Sequence, residues 1–197
     1  MPSEIIIVSG LPRSGTSLMM QMLERGGVEV LTDRVRAADT DNPKGYYEFE
    51  AVKKTKSDAG WLPAARGKAV KMVSQLLYDL PPTEQYRVVF MERDLDEMLR
   101  SQEKMLQRLG RPAAPHEQMK ASYRLHLDRL LAWVPGQSHL QMLRTRYNDL
   151  IERPEPEARR VAGFLGGNVN AEAMADTVDP SLYRNRKPGP EPTARRG

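Results

Sequence analysis

Ile5-Ile6-Ile7-Val8-Ser9 runs uncharged into Gly10, and a helix-spaced apolar pattern (Leu18, Met19, Met22, Leu23) begins eight residues later. An unbroken β-branched run of this kind is a strand buried on both faces, which requires a largely parallel sheet with helices on either side. Gly26-Gly27 stops the helix. Between strand and helix lies Gly10-Leu11-Pro12-Arg13-Ser14-Gly15-Thr16-Ser17. A glycine loop in that place turns backbone N–H groups and the positive end of the helix dipole toward one point, a cradle for an anion. The spacing follows the P-loop pattern G-x-x-x-x-G-K-[ST], except that Thr16 fills the lysine slot. A nucleotide triphosphatase uses that lysine on the β- and γ-phosphates and holds magnesium with the Ser/Thr and an acidic strand end. Here the cation is Arg13, inside the loop, which suits a terminal anion smaller than a triphosphate. The plainer reading is a glycine turn that only joins strand to helix.

The rest of the chain repeats the alternation. Val28–Leu31 reads as a short strand, 32–48 as a long loop of turn formers, and 49–60 as a polar helix. Strands follow at Ala69–Ser74 and Arg87–Met91, on either side of the Pro81-Pro82 break. A helix over 95–109 puts Leu95, Met98, Leu99, Leu106 and Leu109 on one face, and a second covers about 116–134. Ser138–Arg144 reads as the last strand, before helices near 155–165 and 171–176. The expectation is an α/β, three-layer P-loop-type fold: a mostly parallel central sheet covered by helices on both faces. The loops after residues 9, 31, 74, 92 and 144 then converge on one cleft beyond the carboxyl ends of the strands. Residues 1–183 form one domain in this reading, and 184–197 a basic, Pro-rich tail.

Composition narrows the chemistry. The 197 residues include no cysteine, which removes a disulfide framework, a cysteine zinc site and a thiol nucleophile together. No apolar run approaches the ~20 residues of a membrane helix, and no signal peptide is legible at the start, so a cytoplasmic protein is expected. The net charge of +4 resides entirely in the tail, where Arg184, Arg186, Lys187, Arg195 and Arg196 face the single Glu191. A neutral body with a short basic tail does not point to a nucleic-acid partner.

Three stretches together resemble one known family. Pro12-Arg13-Ser14-Gly15-Thr16-Ser17 is similar to the 5′-phosphosulfate loop of sulfotransferases, whose donor is 3′-phosphoadenosine 5′-phosphosulfate (PAPS) and whose nucleotide product is 3′,5′-ADP. The resemblance implies that Arg13 contacts the 5′-phosphate and sulfuryl group and that Thr16 and Ser17 help hold the phosphate. Cytosolic members often carry a tryptophan next, stacked on adenine, where this chain has Leu18. Val88-Val89-Phe90-Met91-Glu92-Arg93, with Ser101 eight residues beyond the arginine, looks like the family's 3′-phosphate site. A planar guanidinium fork and a hydroxyl two helical turns along are suited to phosphate, although each alone also reads as an ordinary surface residue. Arg146-Tyr147-Asn148-Asp149-Leu150, with Phe164-Leu165-Gly166, resembles the R-Y-E-D-L stretch and F-L-G helix end, and implies that Tyr147 lies near the adenine; Asp149 and Phe164 read as structural.

On the acceptor side the family's K-T-H stretch corresponds to Lys71-Met72-Val73, which keeps a cation for the sulfuryl oxygens and lacks the histidine base. His116, His126 and His139 fall on or between helices, away from the strand ends. Asn42-Pro43-Lys44-Gly45-Tyr46-Tyr47-Glu48 looks like the N-P-x-G-[FY]-x-E stretch of bacterial members, making Glu48 the candidate base and Glu50 the second; a carboxylate capping a helix is the other reading of Glu48. Tyr46, Tyr47 and Trp61 are candidates for the acceptor pocket or for packing. The resemblance implies in-line sulfuryl transfer, without a metal, to the hydroxyl or amine of a small-molecule, glycan or lipid acceptor. Two other readings stay open: a P-loop nucleotide kinase or NTPase with Glu92 at the magnesium, and a catalytically silent nucleotide-binding protein on the same fold. Basic tail residues Arg184, Arg186 and Lys187 reach the nucleotide in one version of the sulfotransferase reading.

Overall fold

Successive side chains of an extended strand point to opposite sides, and β1 (Ile5–Gly10) uses both: Ile5 and Ile7 join one buried cluster, Val8 another. The computed structural model describes residues 4–33 and 45–179. The Asn42-Pro43-Lys44 start of the acidic loop motif and the basic tail at 184–197 lie outside them. After β1 come α1 (Thr16–Arg25), β2 (Val30–Leu31), a 3₁₀ turn at Glu50–Lys54, α2 (Leu62–Ala65), β3 (Ala69–Val73) and a second 3₁₀ turn at Ser74–Asp79. Then follow β4 (Tyr86–Glu92), α3 (Leu95–Arg108), α4 (His116–Trp133), β5 (Leu140–Arg146), α5 (Tyr147–Glu152), α6 (Pro154–Phe164) and α7 (Ala171–Ala175).

The five strands pair in parallel in the order β2-β3-β1-β4-β5. β1 is central, and the chain crosses it in passing from β3 to β4, so the loop after β1 sits at the topological switch point where α/β sheets bind ligands. In register, Gly10 is level with Val73 of β3 and Met91 of β4, which brings the ends of three strands to one line. The layers follow the alternation along each strand. Val8, Val89 and Met91 pack with Met19, Leu23, Leu150, Val161 and Met174 on one face. Ile7, Val70, Met72, Val88 and Phe90 pack with Leu62, Leu77 and Leu130 on the other. No helix of the described residues is long and apolar enough to cross a membrane.

Several expected elements shift. The polar helix over 49–60 is a single 3₁₀ turn followed by α2, because Trp61 (8% exposed) turns inward and joins the core with its indole N–H on Thr55 Oγ1 at 3.2 Å. Trp61 is therefore a packing residue rather than a wall of an acceptor pocket. β5 extends to Arg146 and passes directly into α5, a helix with no breaker residue to announce it. Leu109, expected on the apolar face of α3, stands 54% exposed beyond the helix end.

Candidate active site

The loop joining β1 to α1 has a backbone that few sequences adopt. Arg13 has φ 70, and Gly15, which opens α1, has φ 102. A Cβ on Gly15 would lie 2.4 Å from Cδ2 of Tyr147, so glycine is required both by the torsion and by the ring beside it. Gly15→Ala is expected to lower unfolding stability by about 2–4 kcal/mol, combining left-handed strain with overpacking; urea denaturation measures it, and an unchanged midpoint would mean that the Tyr147 ring moves aside freely.

The first turn of α1 contains no acidic residue and has no side-chain cap. α3 contrasts with it: Asp94 accepts from the N–H groups of Asp96 and Glu97 at 3.0 and 3.2 Å, and two carboxylates occupy its first turn. Of the two helix starts, α1 is thus the one whose positive dipole end is not met by a carboxylate of its own first turn. The Ser14 hydroxyl at this end is buried and has no hydrogen-bond partner among the described residues.

Two groups of side chains flank the loop. On the β4–β5 side, the Arg13 guanidinium donates through Nε to Ser101 Oγ at 3.2 Å, and Arg93 donates through Nη1 to the Arg13 carbonyl at 3.3 Å. Arg93 lies over the Tyr147 ring, 4.5 Å from its centroid, and its Nε faces Glu97 Oε2 at 3.4 Å. A cleft of about 390 Å³ opens here beyond β4 and β5, lined by Leu11, Ser14, Arg93, Met98, Arg146, Asn148 and Asp149 among others. Asn148 Oδ1 is a second buried polar atom at this cleft with no partner among the described residues. On the β3 side, Lys71 lies between Val70 and Met72, so its side chain emerges on the α1 face. Its Nζ donates to Ser17 Oγ at 3.3 Å and to the Tyr46 carbonyl, which also accepts from Ser17 Oγ at 3.4 Å.

The expected residues Arg13, Ser14, Gly15, Arg93, Ser101 and Tyr147 therefore meet on one side of the α1 N-terminus, and Ser17 and Lys71 on the other. Pro12 and Thr16 lie in the loop and at the start of α1. Tyr147 is 7% exposed, with its ring against Gly15 and under Arg93, and so serves as a platform for the arginine. Glu48 stands two residues beyond Tyr46, its carbonyl held by Thr32 Oγ1 at 2.8 Å and by the Asp33 N–H at 3.1 Å. The N–H of Glu50 at the start of the nearby 3₁₀ turn is taken by Asp33 Oδ2 at 2.7 Å. Glu92, at the end of β4, is engaged by Arg144 at 2.7 Å.

One histidine is not where the sequence reading places it. His126 Nε2 lies 2.9 Å from Ser74 Oγ, immediately past β3, where α4 shares a buried cluster with β3 and the turn after it; burial pushes its pKa down. His116 sits between Glu103 and Asp96, whose hydrogen bonds raise its pKa, and His139 is buried at the start of β5. The residue that sequence reasoning missed is Glu97, 2% exposed beside Arg93. Its signal was available: an opposite charge four residues on, at the start of a helix.

The sequence profile of the sulfotransferase domain matches residues 3–191. Among solved structures, the chain is similar to the sulfotransferase domain of the Synechococcus PCC 7002 olefin synthase, at 15% identity and a TM-score of 0.54 over 92% of this chain and 86% of that one. A sulfotransferase from Alicyclobacillus acidocaldarius is 16% identical, with a TM-score of 0.52 over 92% and 89% of the two chains. Sulfotransferase STF9 from Mycobacterium avium is 13% identical, with a TM-score of 0.53 over 89% and 68%. At these identities the structural likeness speaks for the fold. No curated protein matches the chain.

Proposed function

Since this chain belongs to the sulfotransferase domain family, we propose that it moves a sulfuryl group from PAPS to a hydroxyl or amine of a small-molecule, glycan or lipid acceptor. The observation that carries this reading is the linkage of two anion-binding motifs: Arg13 of the glycine loop bonds Ser101, and Arg93 bonds Arg13. A donor with phosphate at both its 3′ and 5′ positions matches that pair, whereas a triphosphate chain calls for a lysine where Thr16 stands.

The donor supplies an activated sulfur bound to the 5′-phosphate through a bridging oxygen. On the chain's side, the N–H groups of the α1 start, with Ser14, Thr16 and Ser17, hold the 5′-phosphate, and Arg93 and Ser101 hold the 3′-phosphate. Arg13 and Lys71 face the charge that builds on the sulfuryl and bridging oxygens as the acceptor oxygen bonds to sulfur and the sulfur–oxygen bond to phosphate breaks. Glu48 takes the proton from the acceptor, and 3′,5′-ADP leaves. A loop held on both sides keeps its backbone N–H groups fixed, so that they cost little reorganisation during the reaction.

Thermal unfolding tests the donor. With ligand at roughly 100 times its Kd, 3′,5′-ADP is expected to raise Tm by about 5–10 °C and ATP with magnesium by much less. Preferential stabilisation by ATP with magnesium would transfer the site to the kinase reading. A screen of PAPS consumption across carbohydrate, lipid, phenol and peptide acceptors then identifies the second substrate; tight 3′,5′-ADP binding with no transfer to any of them would favour a silent nucleotide-binding protein.

A further inference from the structure

A guanidinium on a three-carbon arm loses rotamer freedom when it settles on a phosphate. Arg93 is held before any such event. Its face rests on the Tyr147 ring, 4.5 Å from the centroid, and its Nη1 donates to the Arg13 carbonyl at 3.3 Å. Its Nε faces Glu97 at 3.4 Å, and both side chains of this pair are nearly enclosed, 8% and 2% exposed. Glu97 is itself fixed at its root, because its N–H donates to the Asp94 cap in the first turn of α3. A carboxylate beside an anion-binding arginine subtracts from the attraction, so its place there needs a reason. Two features give one: an arginine this enclosed is costly without a partner, and the carboxylate meets the guanidinium at Nε, the edge that turns back toward the helix.

We propose that Glu97 is the positioning residue of Arg93: by clamping its Nε edge it aims the guanidinium and so sets the preference of the site for a 3′-phosphorylated nucleotide. The proposal rests on the donor reading above, and its test separates the two. Calorimetric titration compares adenosine 3′,5′-bisphosphate with adenosine 5′-phosphate on the wild-type protein and on Glu97→Gln, Arg93→Ala and the double variant. The wild type is expected to bind the bisphosphate more tightly. Glu97→Gln is expected to lose about ten-fold of that preference, while the affinity for the 5′-phosphate stays within about two-fold. Adding Glu97→Gln to Arg93→Ala is expected to change nothing further, because the effect passes through the arginine. Should Glu97→Gln fail to fold, Glu97→Asp keeps the charge on an arm too short to reach Nε and is expected to lose the same preference.

A preference that survives in the variants, or an equal weakening of both ligands, would make Glu97 a structural residue and overturn the inference alone. A wild-type protein that binds the two nucleotides alike would overturn the donor reading, and the inference with it.

Discussion

Arg13→Ala is expected to reduce sulfuryl transfer by about 10³-fold or more, the scale seen when a charged or hydrogen-bonding group facing a transferring oxyanion is removed. The expectation rests on the proposal that the Arg13 side chain faces the transferring group when the donor is bound. It leaves the glycine loop at a residue with φ 70, a strained torsion for arginine, and reaches Ser101 across 88 positions of sequence. Backbone strain that persists in a loop of this kind marks a side chain held for a purpose. The same torsion supplies a control. Arg13→Gly relieves the strain, so it should be at least as stable as the wild type and as inactive as the alanine variant. Transfer from a labelled donor, with Tm measured alongside, reads both quantities. Activity within a few-fold of wild type in either variant would remove Arg13 from the reacting centre.

Glu48→Gln is expected to lower turnover by about 10²–10⁴-fold with 3′,5′-ADP affinity unchanged, the range for loss of a general base. The backbone of this residue is tied to the end of β2 through Thr32 and Asp33, and Tyr46, two residues before it, touches both Ser17 and Lys71. Glu48 thus belongs to the segment that lies against Ser17 and Lys71. The N–H of Glu50, at the start of the 3₁₀ turn, is taken by Asp33. Single-turnover kinetics on the variant isolates the chemical step, and a rate equal to wild type would show that another group takes the proton.

Much of this fold was legible in the chain. The Ile5–Ser9 run, the Gly10–Ser17 loop and the apolar spacing of Leu18 to Leu23 are local patterns, each set by residues within a turn or two of one another. They mark β1, the loop and α1 almost to the residue. Elements decided by distant contacts were harder to read. The segment after Glu48 has a helical composition, yet it collapses to a short turn because Trp61 and Phe49 stack edge to face at 6.0 Å in the core. His126 looks like one more polar position on a helix, and only the cluster that α4 shares with β3 and the turn after it brings it to Ser74.

The same division runs through the site. Sequence alone determined that a glycine loop follows the first strand, that it carries Arg13 and has Thr16 in the lysine slot, and that Ser101 lies eight residues beyond Arg93. Tertiary structure decided that these motifs, 80 and 88 residues apart, share one cleft, that Tyr147 is a platform under Arg93, and that Glu97 is a buried counter-charge. The reason is physical. Torsions and helix periodicity depend on near neighbours, whereas the placing of a guanidinium depends on which strands the sheet sets side by side, and that order, β3-β1-β4, is fixed by burial on both faces of the whole sheet.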